Sequence, residues 1–412
     1  MKNISVDVWR NISGQLDDEC SIFNEDWDNV DVDSLDDING TEMIPCDSWE
    51  YDTSVFLSTI TSDFDLVCDR EYLISLAQTF FFFGIVVGVF ALGILSDMFG
   101  RKRVLVPLLI ALGVTGIASS QMPNYVTFVI ARVINASVTI GIFQIYLTYL
   151  LEFVGGKYIT IIGIGVEYIW VLGLLFLSGL AYLIRNWRLL VLSYSVPSLA
   201  SLLMFWLLPE SPRWLLTVGR IQEAEQIVKE GAKYNKIKLP DNFQLDPIKS
   251  KTESSKKTFL DLYKSPNMRA KTLILNMNWF VNTFAYYGLS LNMSSLTGGS
   301  DIFLNFSMAS VIELPAYAAA TFLVVYFGRR VPYSLSLISY GISLIIIIMV
   351  PRGIFPYDWP VIVLSLVSKM SITFSFGVIF LFTAELFPTE VRTSGIGSAN
   401  FIGKMKVDRI NG

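Results

Sequence analysis

The chain contains no histidine in 412 residues. That excludes Ser-His-Asp triads, histidine-ligated zinc and any histidine proton switch. Cysteine is scarce too, and Cys20, Cys46 and Cys68 all fall in the first 70 residues. An oxidising compartment suits them, and an odd count leaves one outside any intramolecular pair. Charged residues make up only 16% of the chain, against roughly 25% in an average soluble protein. No G-x-x-x-x-G-K-[ST] run occurs, so ATP-driven chemistry has no cradle here. No nucleophile–base pair, metal cluster or cofactor loop stands out, which makes an enzyme the weakest reading, with no metal and no cofactor expected. Residues 1–20 hold no apolar core of a signal peptide. If the acidic head that follows is exported, a preceding helix is expected that this sequence does not contain.

What is abundant is apolar residue, 53% of the chain, at a mean hydropathy of +0.52. It comes in long blocks, and about 20 apolar residues suffice for a helix to cross a bilayer. Nine such segments are expected near 72–96, 104–122, 124–151, 158–184, 187–208, 271–293, 302–327, 332–350 and 359–384. The charge is uneven. Residues 1–70 carry 18 Asp/Glu and 3 Lys/Arg, a charge of −15, and the rest of the chain carries +10. Arg101, Lys102 and Arg103 follow the first span, Arg329 and Arg330 the seventh, and Arg392 the ninth. All fall on one side if residues 1–70 are outside the cell, as does the basic loop 209–270, with 12 Lys/Arg against 8 Asp/Glu. Sequons at Asn3, Asn11 and Asn39 beside the cysteines favour an extracellular, glycosylated head. Residues 219–234 read as an amphipathic helix with Ile221, Ala224, Ile227 and Val228 on one face. It is expected to lie under the membrane body rather than to bind a partner. Gly84 and Gly88, four apart, permit close helix packing.

After the first span comes Gly93-Ile-Leu-Ser-Asp97-Met-Phe-Gly100-Arg101-Lys102-Arg103. Gly93 admits a close neighbour, Asp97 can meet a cation or a helix N-terminus, Gly100 turns the chain, and the basic run anchors to anionic headgroups. The run matches the G-x-L-x-D-x-x-G-R-[KR]-[KR] loop of the major facilitator superfamily. A partial echo, Phe327-Gly328-Arg329-Arg330, follows 228 residues later, and Glu152 is echoed by Glu385 after 233. Glu385 is followed by Arg392; the first copy has Lys157 in that place. Two homologous halves are expected.

Further motifs are Cys46-x-x-Trp49-x-Tyr51-Asp52, Phe64-Asp65-Leu66-Val67-Cys68-Asp69, Leu76-Ala77-Gln78, Pro209-Glu210-Ser211-Pro212-Arg213-Trp214-Leu215 and Tyr286-Tyr287-Gly288-Leu289-Ser290-Leu291-Asn292. From about residue 46 to about 403 the chain closely resembles the organic cation/anion/carnitine transporters. The resemblance implies an all-α, multi-pass major facilitator fold. It also implies twelve spans with a glycosylated loop between the first two, of which this chain would hold spans two to ten and the start of the eleventh. On that footing a truncated gene model or splice form is expected, rather than a nine-span carrier. The implied division is an extracellular head (1–70), a first bundle (71–208), a cytoplasmic loop (209–270) and a second bundle (271–412), set in the plasma membrane.

Ionisable side chains within spans are costly, on the order of 2.5–3.5 kcal/mol on insertion scales, so Arg132, Glu167, Glu313 and Lys369 draw attention. By the resemblance, Arg132 and Lys369 match structural or gating positions, together with Gly93, Asp97, Gly100, Arg101, Glu152, Glu385 and Arg392. Glu167 and Glu313 match cavity positions, where carboxylates favour a cationic ligand; pairing with Lys or Arg inside the bundle is the competing reading, evenly weighed at Glu167. Trp170, Trp279, Tyr286 and Phe376 complete the cavity set, since aromatic faces attract organic cations. The expected activity is alternating-access transport of a small organic ion, a cation being favoured, by facilitated diffusion or exchange, with the lipid bilayer as surroundings and no nucleic-acid partner. The rivals are a sugar-type facilitator and a non-transporting form that assembles with a full-length relative.

Overall fold

The computed structural model describes residues 20–23, 43–156, 158–203, 207–240, 243–245, 264–291, 301–351 and 359–386. The chain divides into two compact units, residues 1–77 and 78–412.

In the first unit, strand β1 (Ser21–Phe23) pairs antiparallel with β2 (Met43–Pro45) in the register Ile22 to Ile44. Cys20 and Cys68 form a disulfide, and the backbone N–H of Cys46 donates to the Cys20 carbonyl at 3.1 Å. The short helix α1 (Ile60–Phe64) opens with a capping box between Thr59 and Ser62 and ends at Asp65, in the left-handed region with φ 49°. The Tyr51 hydroxyl donates to Asp65 at 3.1 Å.

The rest is helical: α2 (Tyr72–Phe99), α3 (Arg101–Ser120), α4 (Tyr125–Phe153), α5 (Tyr158–Leu183), α6 (Trp187–Ser198), α7 (Pro212–Thr217), α8 (Ile221–Tyr234), α9 (Pro266–Leu291), α10 (Ile302–Val311), α11 (Glu313–Phe327), α12 (Arg330–Met349) and α13 (Trp359–Leu386). Asn124, Asn186, Ser211 and Asp301 cap α4, α6, α7 and α10, each accepting from backbone N–H groups of the first turn. Large apolar side chains such as Phe83, Leu172, Phe176, Ile338 and Ile345 face outward, while Asn276, Asn282, Ser368 and Thr383 are buried. This inside-out polarity is what a lipid solvent selects, because polar groups must find partners within the bundle.

Seven of the nine expected spans are long and apolar enough to cross a membrane among the described residues: α2, α3, α4, α5, the α10–α11 pair, α12 and α13. The other two depart for visible reasons. In 187–208 the α-helix stops beside Pro197 and tightens into a 3-10 turn over Leu199–Leu203. Helix α9 has 26 residues, but its asparagines lower its hydropathy. They serve the interior. Asn282 Nδ2 donates to the Tyr333 hydroxyl at 2.7 Å, and that hydroxyl donates to Asn278 Oδ1 at 3.1 Å. Ser375 Oγ donates to Asn282 Oδ1.

Between α2 and α4 the backbones nearly touch. A Cβ added to Gly84 would lie 2.4 Å from the Val133 carbonyl oxygen, and one on Gly88 2.2 Å from that of Ser137. Ser137 Oγ bonds the Gly84 carbonyl at 2.6 Å across the same seam. Helix α5 joins the two halves. Ile164 and Val171 pack with Tyr317, Ala320 and Val324 of α11 and with Phe374, Val378 and Leu381 of α13.

Candidate functional site

Two polar clusters stand out. The first closes the end of the bundle where α2 turns into α3. Gly100 sits at φ 104°, a conformation glycine adopts without strain. The turn delivers Arg101 into an acidic cradle: its guanidinium reaches Asp97 at 3.0 Å and Glu152 at 2.8 Å and donates to the Ser96 carbonyl at 2.9 Å. Glu210 Oε1 accepts the backbone N–H groups of Arg101, Lys102 and Ser211 at 2.9, 3.1 and 3.0 Å. The Trp214 indole N–H donates to the Asp97 carbonyl at 2.9 Å, and the Tyr149 hydroxyl to the Pro209 carbonyl at 2.8 Å. Gly93 is buried, and its carbonyl accepts from Ser96 Oγ at 3.1 Å. Asp97, expected to meet a cation or a helix N-terminus, pairs with Arg101 one turn on.

The second cluster lies deep in the bundle, where α9, α11 and α13 meet α5. Lys369 Nζ sits 2.7 Å from Glu313 Oε1, the two side chains 4% and 1% exposed. The same ammonium donates to Ser290 Oγ at 2.7 Å and lies 3.8 Å from the centre of the Tyr286 ring. The Tyr286 hydroxyl donates to Glu313 Oε1 at 2.9 Å. Glu313 therefore meets Lys369, which is the competing sequence reading for that residue, and Lys369 joins the aromatic set instead of standing apart from it. Pro315 in the first turn of α11 cannot donate to the Val311 carbonyl, so the α10–α11 helix breaks at Ile312, beside Glu313.

Glu167 of α5 is 6% exposed and faces the Tyr317 hydroxyl and the Glu313 carboxylate. The Trp170 indole faces the Tyr286 hydroxyl, and the residue is 45% exposed. Phe376 stacks on Tyr286 with centroids 4.9 Å apart. Trp279 is fully buried, its N–H on Thr383 Oγ1 at 2.7 Å and its ring edge-on to Phe380 at 4.6 Å. It backs the aromatic chain from behind Phe376.

Arg132 is apart from this cluster, two turns into α4, bonded to Gln78 Oε1 at 3.3 Å and flanked by the rings of Phe81 and Phe128. Arg392 and the sequons at Asn3, Asn11 and Asn39 lie outside the described residues, as does the side chain of Glu385. The sequence reading did not single out Tyr317, Ser290 or the capping role of Glu210. For Glu210 a signal was present: a lone acid in Pro209–Leu215, next to a basic loop in need of a counter-charge.

The bundle superposes on a solved structure of the xylose transporter XylE from E. coli, in a partially occluded inward-open conformation. The TM-score is 0.63 at 18% identity, covering 86% of this chain and 83% of that one. The fold is that of the major facilitator superfamily, and the chain is a multi-pass membrane protein. The profile described as "Sugar (and other) transporter" matches residues 45–405. Among curated relatives, an organic cation transporter protein of Drosophila melanogaster is 32% identical over 98% of this chain and 74% of its own length. The human organic cation/carnitine transporter 2 is 35% identical over 90% of this chain and 66% of its own. The chain belongs to the sugar (and other) transporter family of membrane carriers.

Proposed function

We propose that the chain carries small organic cations across the plasma membrane by alternating access, with Glu167, Trp170, Tyr286, Glu313 and Phe376 around the substrate and Trp279 behind them. The carrying observation is the deep cluster itself: two buried carboxylates, one ammonium, and a Tyr286 ring that already holds a cation at 3.8 Å. The Tyr286 ring is taken up by Lys369 and the stacked Phe376, which leaves Trp170, 45% exposed, to attract a quaternary ammonium by the same quadrupole. The surplus carboxylate favours a positive ligand in a low-dielectric site. The names of the relatives, organic cation and organic cation/carnitine transporters, support the same substrate class. The solved sugar carriers share the fold at 18% identity, which does not bear on substrate.

In this reading residues 1–70 are an extracellular head with glycans at Asn3, Asn11 and Asn39. Residues 71–208 and 271–412 are the two rocking bundles, and 209–270 is cytoplasmic. Gly93, Asp97, Gly100, Arg101 and Glu152, with Glu385 and Arg392 of the second half, form the inner gate; Arg132 and Lys369 hold the helices that move. The test is uptake of radiolabelled tetraethylammonium by cells bearing the chain at their surface. Uptake above vector control, competed by other quaternary ammonium compounds and not by hexoses, is expected. Surface delivery without such uptake would overturn the proposal.

A further inference from the structure

Helix α8 ends in a closed hook. The backbone N–H of Ile237 donates to the Ala232 carbonyl at 2.8 Å, and that of Lys236 to the Lys233 carbonyl at 3.1 Å. These are the paired bonds of a Schellman motif. Asn235 Nδ2 adds a bond to the Gly231 carbonyl at 2.8 Å. The motif needs one left-handed residue, which is usually glycine. Here Lys236 takes that place, at φ 57°, so a charged side chain stands where glycine would fit without strain. The side chains that the hook presents are of two kinds. Tyr234 is 89% exposed and Ile237 61%. Lys233, Lys236 and Lys238 are exposed around them, and no acid falls between Glu230 and Asp241. The acids of α8 nearest the hook are engaged along the helix. Glu230 accepts from Gln226 Nε2 at 2.9 Å, and Glu225 lies 3.7 Å from Lys229 Nζ.

Large apolar side chains exposed on the spans meet lipid, but Tyr234 and Ile237 lie outside every span. A tyrosine and an aliphatic residue framed by lysines suit the membrane interface. The apolar bodies enter the acyl boundary while the ammonium groups stay among anionic headgroups. The other end of α8 is fixed to the bundle. Ala224 packs with Trp214 and Leu215, with Ile227 against them, and the Trp214 N–H holds the Asp97 carbonyl at the end of α2. Helix α8 has 14 residues, about 20 Å of length. The hook therefore stays within one helix length of the level where α2 ends. A protein partner suits it less well. Two apolar side chains among three like charges offer little area for such an interface, whereas a headgroup layer supplies a counter-charge to each lysine.

We propose that the hook, Lys233 to Lys238, is a lipid-docking surface whose occupant is the layer of anionic headgroups in the adjoining leaflet. In the topology proposed above this is the cytoplasmic leaflet, the one that carries acidic lipids. The inference rests on that topology for the choice of leaflet alone. Docking anchors the free end of α8 and so steadies its packed end, which touches the Arg101 cluster through Trp214.

The test follows hydrogen exchange of the purified full chain in vesicles of phosphatidylcholine, with and without phosphatidylserine. The Lys236 and Ile237 N–H groups close the hook, so their exchange reports its opening. One lysine at an anionic surface is worth about fivefold. With phosphatidylserine present, exchange at the hook should slow by about that factor or more. The gain should vanish in Lys233→Glu/Lys236→Glu/Lys238→Glu and at high salt, while exchange in α7 stays unchanged. Should the triple variant not fold, the salt response of the unmodified chain decides. Equal exchange in the two kinds of vesicle would overturn the proposal. Slowing that ignores both salt and the three substitutions would overturn the anionic headgroup as the occupant. Trypsin added to intact cells should leave the hook uncut. Cleavage there would overturn the topology and the choice of leaflet, with the vesicle result left standing.

Discussion

The Lys369–Glu313 pair shows what one side chain can decide inside a bilayer. Breaking a buried pair from one side leaves a bare charge, typically at a cost of about 3–5 kcal/mol, whereas removing both partners is often neutral. Lys369→Met should therefore lower the thermal unfolding midpoint of the detergent-purified carrier sharply. Adding Glu313→Gln should restore most of the loss, and a double-mutant cycle measures the coupling. Purely additive losses would mean that the 2.7 Å contact carries little energy. Each member of this pair is conspicuous in the sequence, because an ionisable residue in an apolar run always is. Their partnership is not conspicuous, since 56 residues separate them and only the helix packing brings Lys369 under Tyr286. Tyr317 and Ser290 were invisible for a related reason: a hydroxyl in a span is ordinary until the charge it faces is known.

Helix α3 poses a local electrostatic problem. It begins with Arg101, Lys102 and Arg103, three positive charges at the end of a helix where the backbone dipole is already positive. Glu210 answers it from 109 residues away by accepting the first two N–H groups of the helix. Glu210→Gln keeps the shape but removes the charge, and should cost about 1 kcal/mol of stability, read as a lower unfolding midpoint. Gly100→Ala should cost more. It adds positive-φ strain, and its Cβ would lie 2.7 Å from Glu210 Oε2, disturbing the cap as well. A Gly100→Ala carrier as stable as the parent would refute this account of the turn. Most helices were legible beforehand because long apolar runs and Asn or Asp caps are local signals; the segment expected at 219–234 is α8, Ile221–Tyr234. Interruptions were not. The breaks beside Pro197 and Pro315 fall inside segments long enough to read as single spans, and α9 spends hydropathy on asparagines whose partners are on α12 and α13.

Across the whole bundle, α5 touches the second half near both of its ends. Toward the Arg101 end, Ile164 packs with Leu381. Toward the opposite end, Ser178 Oγ meets Ser307 Oγ at 2.8 Å and donates to the Phe303 carbonyl at 3.2 Å. A carrier that exposes a central site alternately to each side must open these two contact layers in turn, since closing both at once seals the site and opening both makes a pore. The Ser178–Ser307 contact is the better probe, because two small side chains face each other directly across the interface. In the variant Ser178→Cys/Ser307→Cys, oxidation should join α5 to α10 and stop tetraethylammonium uptake, and a reductant should restore it. Each single variant should ignore both treatments, which controls for the cysteines of the head. If the oxidised double variant forms its crosslink and still transports at the parent rate, α5 and α10 do not separate during the cycle, and the moving interface must be sought elsewhere in the bundle.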